Sequence, residues 1–144
     1  MIDWQKFFIY LKQNCNVDII YYAVWYLQKY DKFYKYLSFV WYTMLFKEVT
    51  VLPNWTIKWN VDIDIAIRSI FDFFEEWLKK AIIISNDWDY NTLVDVLKER
   101  NVFDFLMVIY SATASKQLRK SAWPYIQDIQ RIRHLIEKDP GDKA

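Results

Sequence analysis

Apolar positions along this chain change period again and again, and the changes mark out alternating helices and strands. Residues 7, 8 and 11 within Trp4–Asn14 recur at helical spacing, after a short strand-like stub over Met1–Asp3. The β-branched and aromatic run VDIIYYAV (Val17–Val24) predicts a buried strand. Leu27, Tyr30, Phe33, Tyr34 and Leu37 then line one side of a helix over Leu27–Phe39. A second strand is expected over Tyr42–Val49, followed by a turn or small hairpin over Thr50–Asn60, where Pro53-Asn54 is turn chemistry. Val61–Lys79 reads as a long helix and Lys80–Ser85 as a strand. Asn91–Arg100 reads as a helix closed by Asn101, and Phe103–Tyr110 as a strand. Ser115–Ala122 and Ile126–Lys138 are expected to be helices split by Trp123-Pro124.

Strands that alternate with helices imply an α/β fold: a three-layer α/β/α sandwich with a mostly parallel sheet. The 144 residues fit one domain over 1–138, with 139–144 as a frayed tail. In such sheets the functional cleft lies beyond the carboxyl ends of the strands. Asp3 ends the first predicted strand, Asp87 and Asp89 follow the fourth, and Asp62 and Asp64 open the long helix. Clustered carboxylates repel unless a cation neutralises them. Hard Mg²⁺ or Mn²⁺ takes oxygen ligands and can steady a phosphoryl transition state. A bland alternative exists for each acid, since aspartate at a strand end or helix start is often only a cap or turn residue.

Composition narrows the field. A formal net charge of +1 gives no global field for or against nucleic acid. No apolar run approaches the ~18 residues of a membrane span, and the opening MIDWQKFF, with an acid and a lysine in its apolar stretch, does not read as a signal peptide. A single cysteine, Cys15, excludes an internal disulfide and fits a reducing, cytoplasmic compartment. No Ser–His–Asp or Cys–His set and no phosphate-binding glycine loop is present. One glycine stands where average usage predicts about ten, so positive-φ turns fall to residues such as Asn16, Asn54, Asn60, Asn86 and Asn101.

Four blocks in order, MIDWQKFFIYLK, NVDIDIAI, KKAIIISNDWDYNTLVDVLKERN and SKQLRKSA, resemble the NYN domain of the PIN-like nuclease superfamily. The resemblance spans nearly the whole chain. It implies an aspartate cluster at the sheet's carboxyl edge, Mg²⁺ or Mn²⁺, and RNA cleavage. Position by position, Asp3, Asp62, Asp87 and Asp89 match the family's catalytic acids, with Asp3, Asp62 and Asp87 as metal ligands. Ser85, Ser115, Lys116, Arg119 and Lys120 match or adjoin segments that approach phosphate. The departures cluster at the same edge. Lys6 replaces the opening asparagine and Arg68 an acid, Trp4 stands where glycine is usual, and Asn86 and Trp88 replace small residues.

Two functions follow from the resemblance and its departures. One is a metal-dependent ribonuclease, impaired to whatever extent Lys6, Arg68, Trp4 and Trp88 intrude on the site. The other is an inactive nuclease scaffold that binds a protein, or a second copy of itself, through Trp4, Trp25, Trp41, Trp55, Trp59, Trp88 and Trp123. A small-molecule pocket lined by those indoles is a third, lesser reading. Trp77, inside the long predicted helix, is expected in the core.

Overall fold

In the computed structural model, the described residues are all except 49, 52, 56, 59, 60, 111, 143 and 144. The elements run α1 (Trp4–Asn14), β1 (Tyr21–Trp25), α2 (Asp31–Phe39), β2 (Thr43–Lys47), β3 (Thr50–Val51), β4 (Ile57–Lys58) and α3 (Asp62–Phe74). They continue with β5 (Ala81–Ile84), α4 (Asn91–Glu99), β6 (Phe103–Val108), α5 (Lys116–Ala122), β7 (Ile126–Asp128) and α6 (Arg133–Ile136). The fold is α/β with parallel pairing, as the alternation predicts. The described strands form three sheets: parallel β1-β2, antiparallel β3-β4 and parallel β5-β6-β7. Contacts group the chain into two compact units, Met1–Asp64 with Arg133–Ala144, and Ile65–Ile132.

The first unit is built around aromatic packing. Trp4 meets Tyr22, Phe33 and Tyr42 edge-on, with ring centroids 5.4, 6.0 and 6.1 Å away. Phe7, Leu11, Tyr34, Leu37 and Tyr42 are buried. Asp3 caps α1, its Oδ1 accepting from the Gln5 and Lys6 amides at 3.0 Å each. The expected N-terminal strand survives only as an antiparallel bridge between Ile2 and Glu137, held by the Asp3 amide donating to the Ile136 carbonyl at 2.8 Å.

Tyr42 makes this unit sensitive to alkali. Its hydroxyl donates to the Trp4 carbonyl at 2.8 Å, and burial, with smaller contributions from neighbouring tyrosines and Asp3, pushes its pKa well above the usual tyrosine value. The folded chain accepts the neutral phenol. Stability therefore stays intact below the unfolded pKa of about 10 and falls as pH climbs from there toward the raised folded value. Tyr42→Phe is expected to lose about 1 kcal/mol near pH 7 and to flatten the alkaline decline. Thermal melts between neutral pH and about pH 11 check both.

The second unit packs α4 and α5 on the β5-β6-β7 sheet. Its core gathers Ile83, Tyr90, Leu93, Val94, Leu97, Leu106, Val108 and Leu118. On α4, Leu93, Val94 and Leu97 are buried at i, i+1 and i+4, the inward stripe of an amphipathic helix.

Two expectations fail here. Ile126–Lys138 is not one helix: Ile126–Asp128 pairs parallel to β6, Ile129–Ile132 forms a 3₁₀ turn, and only Arg133–Ile136 is α-helical. The pairing partner, not the local sequence, selects strand over helix. The long helix stops at Phe74 rather than Lys79, because Glu76 turns back at φ 60° and the Trp77 and Leu78 amides both donate to the Asp72 carbonyl. Trp77 is therefore off the helix and 70% exposed, not in the core.

Of the expected positive-φ turn residues, Asn16 and Asn101 adopt that conformation (φ 55° and 58°). Trp41, Trp55 and Glu76 do so as well (φ 81°, 61° and 60°), in a chain whose one glycine, Gly141, lies in the tail. Asn60 lies outside the described residues.

Candidate metal centre

The sequence Ser85-Asn86-Asp87-Trp88-Asp89 leaves the end of β5 and enters a 3₁₀ turn (Trp88–Tyr90) that feeds α4. The β5 pairing runs one residue further, the Ser85 amide donating to the Met107 carbonyl at 3.2 Å. Ser85 Oγ then accepts from the Asp87 amide at 3.0 Å, and Asp87 Oδ1 accepts from the Asp89 amide at 3.1 Å. This chain of local bonds fixes the backbone that carries both acids. Each is a short-range side-chain capture of a backbone donor, the usual work of Ser and Asp at turns.

Asn86 does the long-range work. Its Oδ1 accepts from the Ile109 amide at 2.8 Å, and its Nδ2 donates to Thr113 Oγ1 at 3.1 Å and to the Tyr110 carbonyl at 3.3 Å. Its own carbonyl accepts from the Ser115 amide at 3.3 Å. One asparagine thus ties the end of β5 to the segment between β6 and α5. The sequence marks Asn86 as a turn residue and as a departure from a small residue, not as a clasp, and it is not among the positive-φ residues. Its amide, able to donate and accept at once, was the available signal.

Ser115 caps α5, with Oγ accepting from the Leu118 amide at 3.4 Å. Lys116 and Lys120 are exposed on that helix and Arg119 is half-buried.

Asp62 is the first residue of α3, and α3 continues as one helix into the second unit. Asp62, Asp87 and Asp89 each offer one carboxylate oxygen, and these oxygens lie within 4.8 Å of one another. Asp62 is half-buried and the other two are exposed. Carboxylates at such spacing repel by about 1–4 kcal/mol per pair, depending on local polarity, and a cation at their centre reverses the sign. Opposed oxygens around Mg²⁺ stand ~4.2 Å apart. A modest rotation of the exposed Asp87 and Asp89 side chains brings oxygens within 4.8 Å of one another to such spacing, so the donor set fits a hard divalent cation.

Asp3, expected as a fourth acid and a ligand, is the α1 cap and is not among these three. Asp64, one turn into α3, pairs with Lys47 at 2.9 Å.

The agreement extends well beyond the site: the NYN domain family model matches residues 1–130. This chain belongs to the NYN domain family. Among solved structures, the NYN domain is similar to a Vibrio parahaemolyticus protein of unknown function at 18% identity. That match covers 89% of this chain and 78% of the other, with a TM-score of 0.69. At that identity the likeness speaks for the fold alone. Among curated proteins, none matches the chain.

The departures from the family pattern now have locations. Lys6 places its Nζ 3.0 Å from Asp139 and donates to the Glu137 carbonyl at 3.2 Å. Asp139 first, with smaller help from Asp3, raises the Lys6 pKa. Its main partner is thus the C-terminal tail and not a family acid. Arg68 Nη1 lies 3.9 Å from Asp72, one turn along α3. Trp4 is half-buried in the aromatic core of the first unit. Trp25 ends β1 half-buried, its carbonyl accepting from the Tyr34 hydroxyl at 2.9 Å. Trp41, Trp55, Trp88 and Trp123 are exposed, Trp88 by 59%. Trp59 lies outside the described residues. Among the described residues, no helix is long and apolar enough to cross a membrane.

Proposed function

We propose that this NYN domain is a metal-dependent ribonuclease in which Asp62, Asp87 and Asp89 hold Mg²⁺ or Mn²⁺. The convergence of those three carboxylates, in a chain of this family, carries the reading. A bound divalent ion would lower the pKa of a ligating water and polarise the scissile phosphoryl group.

The chain's own residues supply the rest. The Asp87 carboxylate is held through Oδ1 by the Asp89 amide, which would leave Oδ2 for the ion. Ser85 sets the Asp87 backbone. Lys116, Arg119 and Lys120 lie on the helix that Asn86 ties to β5 through Ser115, and they would meet phosphate oxygens. Trp88, exposed between the two acids, offers a face on which an unpaired base stacks. A single-stranded RNA substrate is the consequence.

Cleavage of a single-stranded RNA in Mn²⁺, absent in chelator, tests the proposal; no cleavage under either condition overturns it. Asp3 separates by a milder change. Asparagine caps a helix as well as aspartate does. Asp3→Asn is therefore expected to leave the melting temperature unchanged and the Mn²⁺ affinity within about twofold, read by calorimetry. A larger loss of affinity would add Asp3 to the ligand set.

The second reading, a binding module acting through its indoles, is favoured by the exposure of Trp41, Trp55, Trp88 and Trp123. It requires metal-independent partner binding that Trp88→Ala or Trp123→Ala weakens.

A further inference from the structure

The helix that delivers Asp62 carries apolar residues on two sides. Along α3, Asp62, Asp64, Ser69 and Asp72 are at least partly buried, while Ile63, Ile67, Ile70, Phe71 and Phe74 are exposed. Ile67, Ile70, Phe71 and Phe74 stand at i, i+3, i+4 and i+7, the spacing by which helices seat on one another. Ile65 and Phe73, on the other side, do pack against the core of the second unit. The outward stripe is therefore a second apolar face and not the helix's only one.

We infer that this face pairs two copies of the chain, α3 against α3, antiparallel about a two-fold axis. Area is the first argument. Phe71 and Phe74 are 57% and 76% exposed, and Ile63, Ile67 and Ile70 about half. With ~150–250 Å² per aromatic side chain, the face offers roughly 450–550 Å² per copy. That is at the upper end of what a monomer exposes in one patch. Two such faces bury about 900–1,100 Å², the size of a weak, reversible interface.

Charge is the second argument, and it sets the direction. Arg68 and Glu75 lie two turns apart along one flank of the stripe. A parallel partner would set Arg68 beside Arg68. An antiparallel partner, with the axis near Phe71, sets each Arg68 beside the other copy's Glu75. The same register brings the N-terminal isoleucines of one helix to the C-terminal end of the other. A two-fold, self-complementary contact of this kind closes on itself and stops at the dimer.

Sedimentation velocity from about 1 to about 200 µM tests the pairing. The intact chain is expected to pass from monomer to dimer across that range. Phe71→Glu with Phe74→Glu is expected to raise the dissociation constant at least ~100-fold. These side chains are exposed, so circular dichroism should show the fold retained. Arg68→Glu should weaken the dimer about tenfold, and Arg68→Glu with Glu75→Arg should restore it. A monomer throughout the range overturns the inference, and so does a dimer indifferent to the double glutamate variant. Failure of the charge swap to rescue overturns the antiparallel register. A monomer that instead binds phosphatidylserine vesicles through this face overturns the choice of partner.

Discussion

Asp87→Asn is expected to abolish Mn²⁺-dependent RNA cleavage, with a fall of at least ~10³-fold, and to leave the fold intact. The Asp87 side chain has two jobs that the substitution separates. Its Oδ1 accepts from the Asp89 amide at 3.1 Å, which the asparagine carbonyl can reproduce. Its negative charge is one of three converging oxygen donors, and a neutral amide cannot replace it. Losing one charged ligand removes several kcal/mol of charge stabilisation, and about 4 kcal/mol corresponds to ~10³-fold in rate. Cleavage assays and Mn²⁺ titrations should move together, while the melting temperature stays put. Full activity in this variant would dismiss the three-carboxylate centre.

Asn86→Ala should be the most destabilising single change at this edge of the sheet. It removes the acceptor for the Ile109 amide and the donor to Thr113 Oγ1 and the Tyr110 carbonyl. The Ile109 amide, partly buried, is then left to find water. With about 1 kcal/mol per ordinary hydrogen bond, and more where a partner is stranded, the cost is about 2–4 kcal/mol. For a chain of this length that lowers the melting temperature by roughly 5–15 °C. Asn86→Asp keeps the Oδ1 acceptor but sets a carboxylate against the Tyr110 carbonyl, so its loss should be smaller than that of alanine at low pH and grow as the carboxylate ionises. Thermal melts across pH read this directly. Asn86→Gly returns the small residue usual in the family and still loses the clasp.

These two residues show where local sequence suffices and where it does not. Ser85-Asn86-Asp87-Trp88-Asp89 is legible because the chemistry is short-range: a β-branched strand ends, a serine and an aspartate capture the next free amides, and a helix begins. The capping of α1 by Asp3 and of α5 by Ser115 is local in the same way. The family blocks, with Asp62, Asp87 and Asp89 among them, could be placed in order along the chain for that reason.

The partners of Lys6 were not legible. Asp139 and the Glu137 carbonyl lie more than 130 positions away, and no local signal couples them. The same limit hid β7, whose three residues become a strand only because β6 offers a free parallel edge.

The sequence by itself determined the alternation of helices and strands and the family, and offered four acids, Asp3, Asp62, Asp87 and Asp89, suited to a divalent cation, because those depend on neighbours within a few residues. Only the tertiary structure decided that Asp89 joins Asp62 and Asp87 while Asp3 caps a helix, and that Lys6 spends its charge on the C-terminal tail. It also decided that α3 turns Ile63, Ile67, Ile70, Phe71 and Phe74 outward while Ile65 and Phe73 face the core. An apolar stripe at helical spacing reads the same whether it meets the core or another molecule. Which surface receives it is settled by what else is packed beside the helix, and that information lies outside the helix's own sequence.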